Sequence, residues 1–462
     1  MTRVYQVADP RKVHEPDVPL EPGVRALFST LWDVWFDAKP GNEQKLAYYN
    51  AEQPLRSLGI TIPAGMADRV RSRCDWPRMA VDYLANRSVF ETFVFAGDEA
   101  HSRAMAQIVA DNDLPHVYDS ATKAELICSP SFMTVSAGAP DEPDVIVRAY
   151  SATEAAGLWD ERRQRIAAAF TIVSSDDRGE PDMYHLYTDW AIYEIRRVGS
   201  IWYSTAYPHD HGRPLIEPLR YRSDTWAPFG HSRISGPVRD TTDEVRANEV
   251  YTAVASEFYS APQRYLLGAP DDIFEGTTKW EAYIGNIFAA TRDENGDIPA
   301  YGQLPQMTME PLLARRRELA KQFSGQTGVP THSLGISSDS NPTSFEAMHM
   351  AENDIVIEAE RLNRSNAQAL ENVAKMALAI SDGVPLPDLD VKVTAKFANP
   401  QRPSASQRVD FAMKTAAIYP QYVTSPVFKE DMGWDAATRV RLEEHEKAAG
   451  ARQMVTQLAQ GR

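Results

Sequence analysis

The chain has 462 residues, a formal net charge of −16, 43% hydrophobic residues and 24% charged ones. That length accommodates roughly two to four domains or subdomains with an ample core, and the composition is that of an ordered soluble protein. So large an acidic excess excludes a protein that grips nucleic acid by neutralising its phosphates, though not one through which a duplex passes without being held.

Residues 1–23 are rich in proline and charge and read as an arm. They lack the apolar centre of a signal peptide, and no window of about eighteen apolar residues follows, so neither export by that route nor a membrane span is predicted. Cys74 and Cys128 are the only two cysteines. They are too few for a disulfide framework or a cysteine zinc site and fit a reducing compartment. Apolar residues fall at helical spacing over Val24–Ala38 and continue over Gln44–Asn50. After Pro54, Gly59 and Pro63 the helical pattern returns at Met66–Cys74 and Trp76–Asn86.

From about 120 to 220 the spacing predicts a mixed β region. Short apolar runs occur at Leu126–Cys128, Phe132–Val135, Val145–Val147, Ala167–Val173, Met183–Thr188, Ala191–Arg197 and Ile201–Ala206. Turn residues such as Asp176-Asp177-Arg178-Gly179 separate them, as in antiparallel meanders. His209-Asp210-His211 follows the last run. Two imidazoles and a carboxylate are metal-ligand types, but consecutive residues splay apart and no further His or Cys lies at ligand spacing, so a solvated turn and no metal are expected.

Helix is predicted from Asp240, with Thr241 and Glu244 as a capping box, Ala247, Tyr251, Val254 and Phe258 on one apolar face, and Pro262 as the stop. Short strands at Tyr265–Leu267 and Tyr283–Phe288 come next. The acidic turn at Asp293–Asp297 resembles a calcium loop only superficially, since no glycine lies at its sixth position and Leu304 stands where the twelfth-position glutamate is required. Thr308 and Pro311 open a further helix that ends near Gly325 and Gly328 and carries Arg315, Arg316, Arg317 and Lys321, the densest basic cluster in an acidic chain. Such a cluster is either paired with neighbouring acids or available to passing phosphates.

The loop through Ser337, Ser338, Asp339, Ser340 and Asn341 leads into the most distinctive stretch. Asn341 or Thr343 can cap a helix there, with Glu346 completing a Thr-x-x-Glu box. No Gly or Pro recurs between Thr343 and Gly383, so the helix can run for close to forty residues, or about 57 Å. Met348, Ile355, Leu362, Ala369 and Met376 form its apolar stripe, with Phe345, Ala359, Val373 and Ile380 beside them. Its first half carries Glu346, Glu352, Asp354, Glu358 and Glu360 without a single Lys or Arg. These acids either favour the helix N-terminus and face solvent, or line a passage for something that must not stick. A strand over Asp390–Phe397 and helices over Ser404–Tyr419 and Ala436–Gly450 complete the chain, with turns at Ser425-Pro426 and Gly433-Trp434.

Catalytic signatures are missing: there is no phosphate loop, no His-Glu-x-x-His, no Gly-x-Ser-x-Gly elbow and no Gly-x-Gly-x-x-Gly. No catalytic residue and no cofactor are therefore assigned, and the fold class expected is α+β, predominantly helical.

The order of elements names a family. GRPLIEPLRYRSD at 212–224, GHSRIS at 230–235, ASEFYSAPQRYLLGAP at 255–270 and the run from 298 to 335 stand in sequence. NPTSFEAMHMAEN at 341–353, VKVTAKFANP and FKEDMGWDAATRVRLEEHE at 428–446 follow, with YYNAEQPLRSLGITIP and WPRMAVDYLANRS upstream. Together they resemble the portal, or head-to-tail connector, protein of tailed double-stranded DNA bacteriophages, over nearly the whole chain. The resemblance implies a ring of usually about twelve subunits at one capsid vertex of the virion, assembled in the host cytoplasm and passing DNA during packaging and ejection. The implied partners are terminase large subunit, head-tail adaptor and major capsid protein or scaffold. It further implies a wing over most of 1–238, stem helices at 239–262 and 307–328, a clip at 263–306 and a tunnel loop at 329–342. A long wing helix and strand would span 343–400, and a small crown 401–462. Two rival readings are a packaging nuclease or NTPase, which requires the motifs found missing, and an adaptor or scaffold that never contacts DNA.

Overall fold

The computed structural model describes residues 15–54, 72–260, 264–267, 300–303, 308–336, 350, 352–401 and 403–434, with isolated positions up to 445. Ser337 to Asn341, Glu346, Tyr283–Phe288, the turn at 293–297 and most of 436–450 lie outside the described residues. The chain forms two compact units, 1–398 and 399–462.

Helix α1 (Pro22–Tyr49) runs unbroken through Pro40. Buried side chains on both sides of the proline, Phe28, Leu31, Trp32 and Trp35 before it and Tyr48 after it, hold the helix where the missing amide would otherwise break it. The helix packs on an antiparallel five-stranded meander of β4 (Ala155–Asp160), β5 (Arg165–Ser175), β6 (Pro181–Tyr187), β7 (Ala191–Val198) and β8 (Ile201–Pro208). Phe28, Trp32 and Trp35 meet Phe170 and Tyr184 at ring-centroid distances of 5.7–6.2 Å, an aromatic cluster that fixes helix against sheet. The Asp176–Gly179 turn joins β5 to β6, where Asp176 accepts the Arg178 and Glu180 amides.

Among the described residues, α2 (Trp76–Ala85), α3 (Glu99–Asp111) and α4 (Leu114–Cys128) follow α1. Leu126–Cys128 is thus the last turn of a helix, not a strand. Three apolar residues alone have no readable period, and the helical one appears only with Tyr118, Ala121, Thr122 and Glu125, all buried on the same face. A three-stranded sheet in the order β3 (Val145–Ser151), β2 (Ser131–Ala137), β9 (Ile216–Leu219) lies beneath these helices. Strand β1 (Phe90–Phe95), which the residue pattern did not reveal, pairs antiparallel with β12 (Val393–Phe397), about 300 residues later in the chain.

A helical hairpin is built from α5 (Gly236–Ser260) and α6 (Glu310–Thr327). The first begins at Gly236 rather than near Asp240, because Pro237 is tolerated in a first turn. Thr241 and Thr242 are therefore inside the helix, and Thr242 donates to the Val238 carbonyl instead of capping. Beyond the hairpin, β10 (Arg264–Leu267) pairs antiparallel with β11 (Ala300–Gln303).

The long helix α7 (Asn353–Asp382) has 30 residues, about 45 Å, rather than close to forty, because it starts at Asn353 with Glu352 in a turn as its N-cap residue. It ends at Gly383, whose φ of +67° is the left-handed cap that glycine adopts without a Cβ penalty. Ile355, Ala359, Leu362, Ala369, Val373 and Met376 are buried as the stripe predicts, and the helix lies across β2 and β9. Met348 and Phe345 lie outside the described residues.

In the second unit, Ser404 and Gln407 form a full capping box for α8 (Ala405–Ile418). The presumed turn at Ser425-Pro426 is a short helix, α9 (Pro426–Asp431), because the Ser425 hydroxyl accepts the Phe428 amide and Pro426 occupies a permitted first-turn position. No helix among the described residues is long and apolar enough to cross a membrane.

Candidate functional site

The hairpin of α5 and α6 enters the first unit through a small apolar base of Val238, Val245, Leu319, Ala320 and Phe323 packed on Trp76, with the Trp76 and Phe323 rings 5.2 Å apart. Farther out, Tyr251 and Val254 are only half-buried and Leu313 is exposed. The basic cluster sits on this outer part and is paired. Arg315 bonds Glu244, Arg316 lies 3.1 Å from Glu249, Arg317 2.8 Å from Glu310 and Lys321 3.8 Å from Glu318. Two of these pairs cross from α6 to α5, so the arginines brace the hairpin. Being partly or largely exposed, each contributes at most about 1 kcal/mol.

At the root of the hairpin stands Arg233, 5% exposed. Its Nε donates to the Ala80 carbonyl of α2 at 2.7 Å, and its Nη1 donates to the Tyr221 hydroxyl at 2.8 Å and to Glu358 Oε2 at 2.7 Å. Its Nη2 donates to the Thr327 carbonyl, the last of α6. A cation is favoured there, where helical carbonyls lack intrahelical partners. Tyr221 and Arg222 also bond Glu358. Burial works to raise the Glu358 carboxyl, but the Arg233 charge and these hydrogen bonds outweigh it and hold it below the usual range.

The strap carrying Arg233 is fixed from below. His231 N donates to the Tyr221 carbonyl at 2.8 Å, Arg233 N to the Leu126 carbonyl at 2.8 Å, and the Ser232 hydroxyl to the Ile127 carbonyl. Gly230, at φ +80°, is needed here, since a Cβ would lie 2.3 Å from the Tyr221 oxygen.

At the N-cap position of the long helix, six residues before Glu358, Glu352 accepts the Tyr83 hydroxyl at 2.6 Å and pairs with Arg87 at 3.1 Å, while the Arg87 guanidinium stacks 4.0 Å over the Tyr83 ring. Glu352 and Glu358 thus anchor the helix inside the subunit. Asp354 and Glu360 are exposed, and Glu346 with the loop residues Ser337, Ser338, Asp339, Ser340 and Asn341 lies outside the described residues.

Deeper along the same helix, Asn366 donates to Glu125 Oε2 at 2.8 Å and to the Tyr118 hydroxyl at 3.1 Å, and that hydroxyl shares a 2.7 Å bond with Ser88. Glu125 is fully buried, and burial pushes its carboxyl up to about 8. Asn372 donates to Glu217, which also pairs with Arg213. Sequence reasoning missed these anchors. Asn366 had a signal, since it falls between Leu362 and Ala369 on an otherwise apolar stripe, where a buried amide needs partners. Arg233 and Glu125 had none, because their partners are remote in sequence.

His209 and His211 have ring centroids 5.3 Å apart, and His211 Nδ1 accepts the Leu386 amide at 3.2 Å. Burial holds both imidazoles below their ordinary range. The turn is thus partly packed rather than wholly solvated. Protonated His211 would turn a donor toward the Leu386 donor, so its stabilising contribution is complete above about pH 6.5 and is lost as the pH falls below it. Urea unfolding at pH 7 and pH 5 should show a decline that is smaller in His211→Asn by about 1 kcal/mol.

Residues 31–427 match the family model for phage portal proteins of the SPP1 Gp6-like type. The chain belongs to that portal family. It is 26% identical over 433 residues to the portal protein of Mycobacterium phage L5, covering 90% of this chain and 87% of that protein. To the portal protein of Mycobacterium phage D29 it is 26% identical over 423 residues, with coverage of 87% and 85%. Among solved structures it is similar to a chain in the neck of an empty GTA particle, at TM-score 0.47 and 12% identity, covering 82% of this chain and 95% of that one. A chain from the neck of a native GTA particle gives TM-score 0.47 and 10% identity, covering 85% and 93%. By the family match over residues 31–427, the α+β architecture above is that of a portal-family member, and the hairpin root and the start of the long helix lie within the matched residues.

Proposed function

We propose that this portal-family chain assembles as a closed ring of about twelve copies at one vertex of the virion and conducts double-stranded DNA during packaging and ejection. The family match across residues 31–427 carries this reading. On it, 1–238 is mainly wing, 239–262 and 307–328 are the stem helices, and 263–306 is the clip. The tunnel loop is 329–342, the long helix and strand of 343–400 return to the wing, and 401–462 forms a small crown. Terminase large subunit, head-tail adaptor and major capsid protein or scaffold dock on the ring, which assembles in the host cytoplasm.

Two features support it. The half-buried Tyr251 and Val254 and the exposed Leu313 on the outer hairpin suit packing against neighbouring copies, where a heterologous contact closes into a ring. The paired state of Arg315, Arg316, Arg317 and Lys321 leaves no strongly cationic wall to hold phosphates, which would impose a salt-dependent release cost at each step. Carboxylates that repel the duplex keep it centred. With Glu352 and Glu358 engaged inside the subunit, that role falls to Asp354, Glu360 and Glu346. Ser337, Ser338, Asp339, Ser340 and Asn341 approach DNA as small polar groups that read no bases.

Electron microscopy of the purified full-length chain, alone and coexpressed with scaffold, is expected to show rings with a central channel; monomers or dimers under both conditions would refute the reading. In a packaging assay, Ser338→Trp or Ser340→Trp should abolish or sharply slow DNA entry while the far-ultraviolet dichroism stays that of wild type. Normal packaging by both would remove the loop from the channel.

A further inference from the structure

We infer that Arg233 is a positioning residue that couples the end of the second hairpin helix to the start of the long helix, and so sets both ends of the segment between them. Thr327 and Glu358 are 31 positions apart in sequence, yet one guanidinium holds both, using Nη2 for the Thr327 carbonyl and Nη1 for the Glu358 carboxylate. Its Nε reaches the Ala80 carbonyl, so the two ends are referenced to α2, a fixed part of the first unit. The chain between these two points also stays beside the long helix. Gly328, at φ +68°, turns the chain out of α6 next to Ile355, where even an added Cβ would come only to ordinary van der Waals distance, 3.9 Å. Val329 and Leu334 then pack with Trp76 and Phe323 in the same apolar base.

Guanidinium geometry makes this coupling rigid. Its donors are coplanar and fixed at set angles, so a shift of the α6 terminus that preserved the Thr327 bond would turn the plane away from Glu358. A lysine presents its three donors from one freely rotating ammonium and has no such planar fork, so it does not fix the two sites in one orientation. Displacement of the hairpin is accordingly passed to the first turns of the long helix. If the segment 329–342 is the tunnel loop, as proposed above, the helix before it and the long helix after it are tied to one guanidinium.

Hydrogen exchange on the full-length chain tests the coupling without requiring a ring or DNA. Wild type is compared with Arg233→Lys and with the double variant R233M/E358Q, which removes both buried charges and so avoids stranding one of them. In the double variant, amides of 328–336 and 352–358 should accelerate at least about ten-fold more than those of β2 and β5, which report the loss of global stability alone, and to an intermediate extent in Arg233→Lys. Unchanged exchange in both segments overturns the inference. Equal acceleration in the sheets also overturns it, because Arg233 would then support only global stability. The excess acceleration in the two segments, together with wild-type packaging by the same variant, upholds the coupling and removes the tunnel-loop reading instead.

Discussion

Replacing Arg233 alone by Met lowers the free energy of unfolding by about 3–5 kcal/mol. The substitution keeps much of the side-chain volume, so the loss is electrostatic rather than a cavity effect. It strands the Thr327 carbonyl at a site where the arginine was 5% exposed, takes a second donor from the Ala80 carbonyl, and leaves Glu358 with Tyr221 and the exposed Arg222 but without its buried cation. A buried acceptor left unpaired costs on the order of 1–3 kcal/mol. Urea denaturation followed by tryptophan fluorescence reads the change directly, and R233M/E358Q should recover part of it because the carboxylate that lost its buried cation is gone. A single-variant loss below about 1 kcal/mol would show that the guanidinium is dispensable.

Glu125→Gln removes a pH dependence that the wild-type chain carries. In the folded state the Glu125 carboxyl sits at about 8 because burial disfavours its charged form, and the unfolded chain exposes it with its ordinary value of 4.5. Between those values the folded state holds a proton that the unfolded state has released. This group's contribution is therefore complete below about pH 4.5, falls as the pH rises through the window, and is exhausted above about 8. The loss amounts to roughly 3–5 kcal/mol across the window, at about 1.4 kcal/mol per unit. Glutamine keeps the shape and an acceptor for Asn366 but cannot ionise. Denaturation midpoints of wild type should drop between pH 6 and pH 9 while those of Glu125→Gln stay level, leaving the variant the more stable at pH 9. Parallel curves for the two proteins would mean that Glu125 is charged in the fold and solvated in some other way.

The acidic stretch at the front of the long helix shows where sequence patterning stops being informative. Glu352, Asp354, Glu358 and Glu360 look alike in one dimension, four carboxylates near a helix start. Folding separates them: Glu352 is claimed by Tyr83 and Arg87, Glu358 by Tyr221, Arg222 and Arg233, while Asp354 and Glu360 stay exposed. Their assignment depends on arginines 125 or more positions away, which no local period encodes. The basic cluster behaves in the same way, since its partners Glu244 and Glu249 belong to a different helix.

By itself the sequence determined the elements whose cause is local. The long helix shows in a seven-residue recurrence of apolar side chains and in the glycine that ends it; four of the meander's five strands show in apolar runs parted by turn residues, Ala155–Asp160 being missed; the second unit's first helix shows as a helical stretch over Ser404–Tyr419. Family membership was also legible, because the order of such local pieces is itself a linear property. Only the tertiary structure decided what depends on distant chain segments meeting. That includes the pairing of Phe90–Phe95 with Val393–Phe397, the helical state of Leu126–Cys128, and the choice of which carboxylates become anchors and which remain charged surface. The physical reason is that periodicity reports which face of an element is buried, whereas the partner of a buried charge is set by desolvation, which forces the nearest complementary group in space, wherever it lies in the chain, to satisfy it.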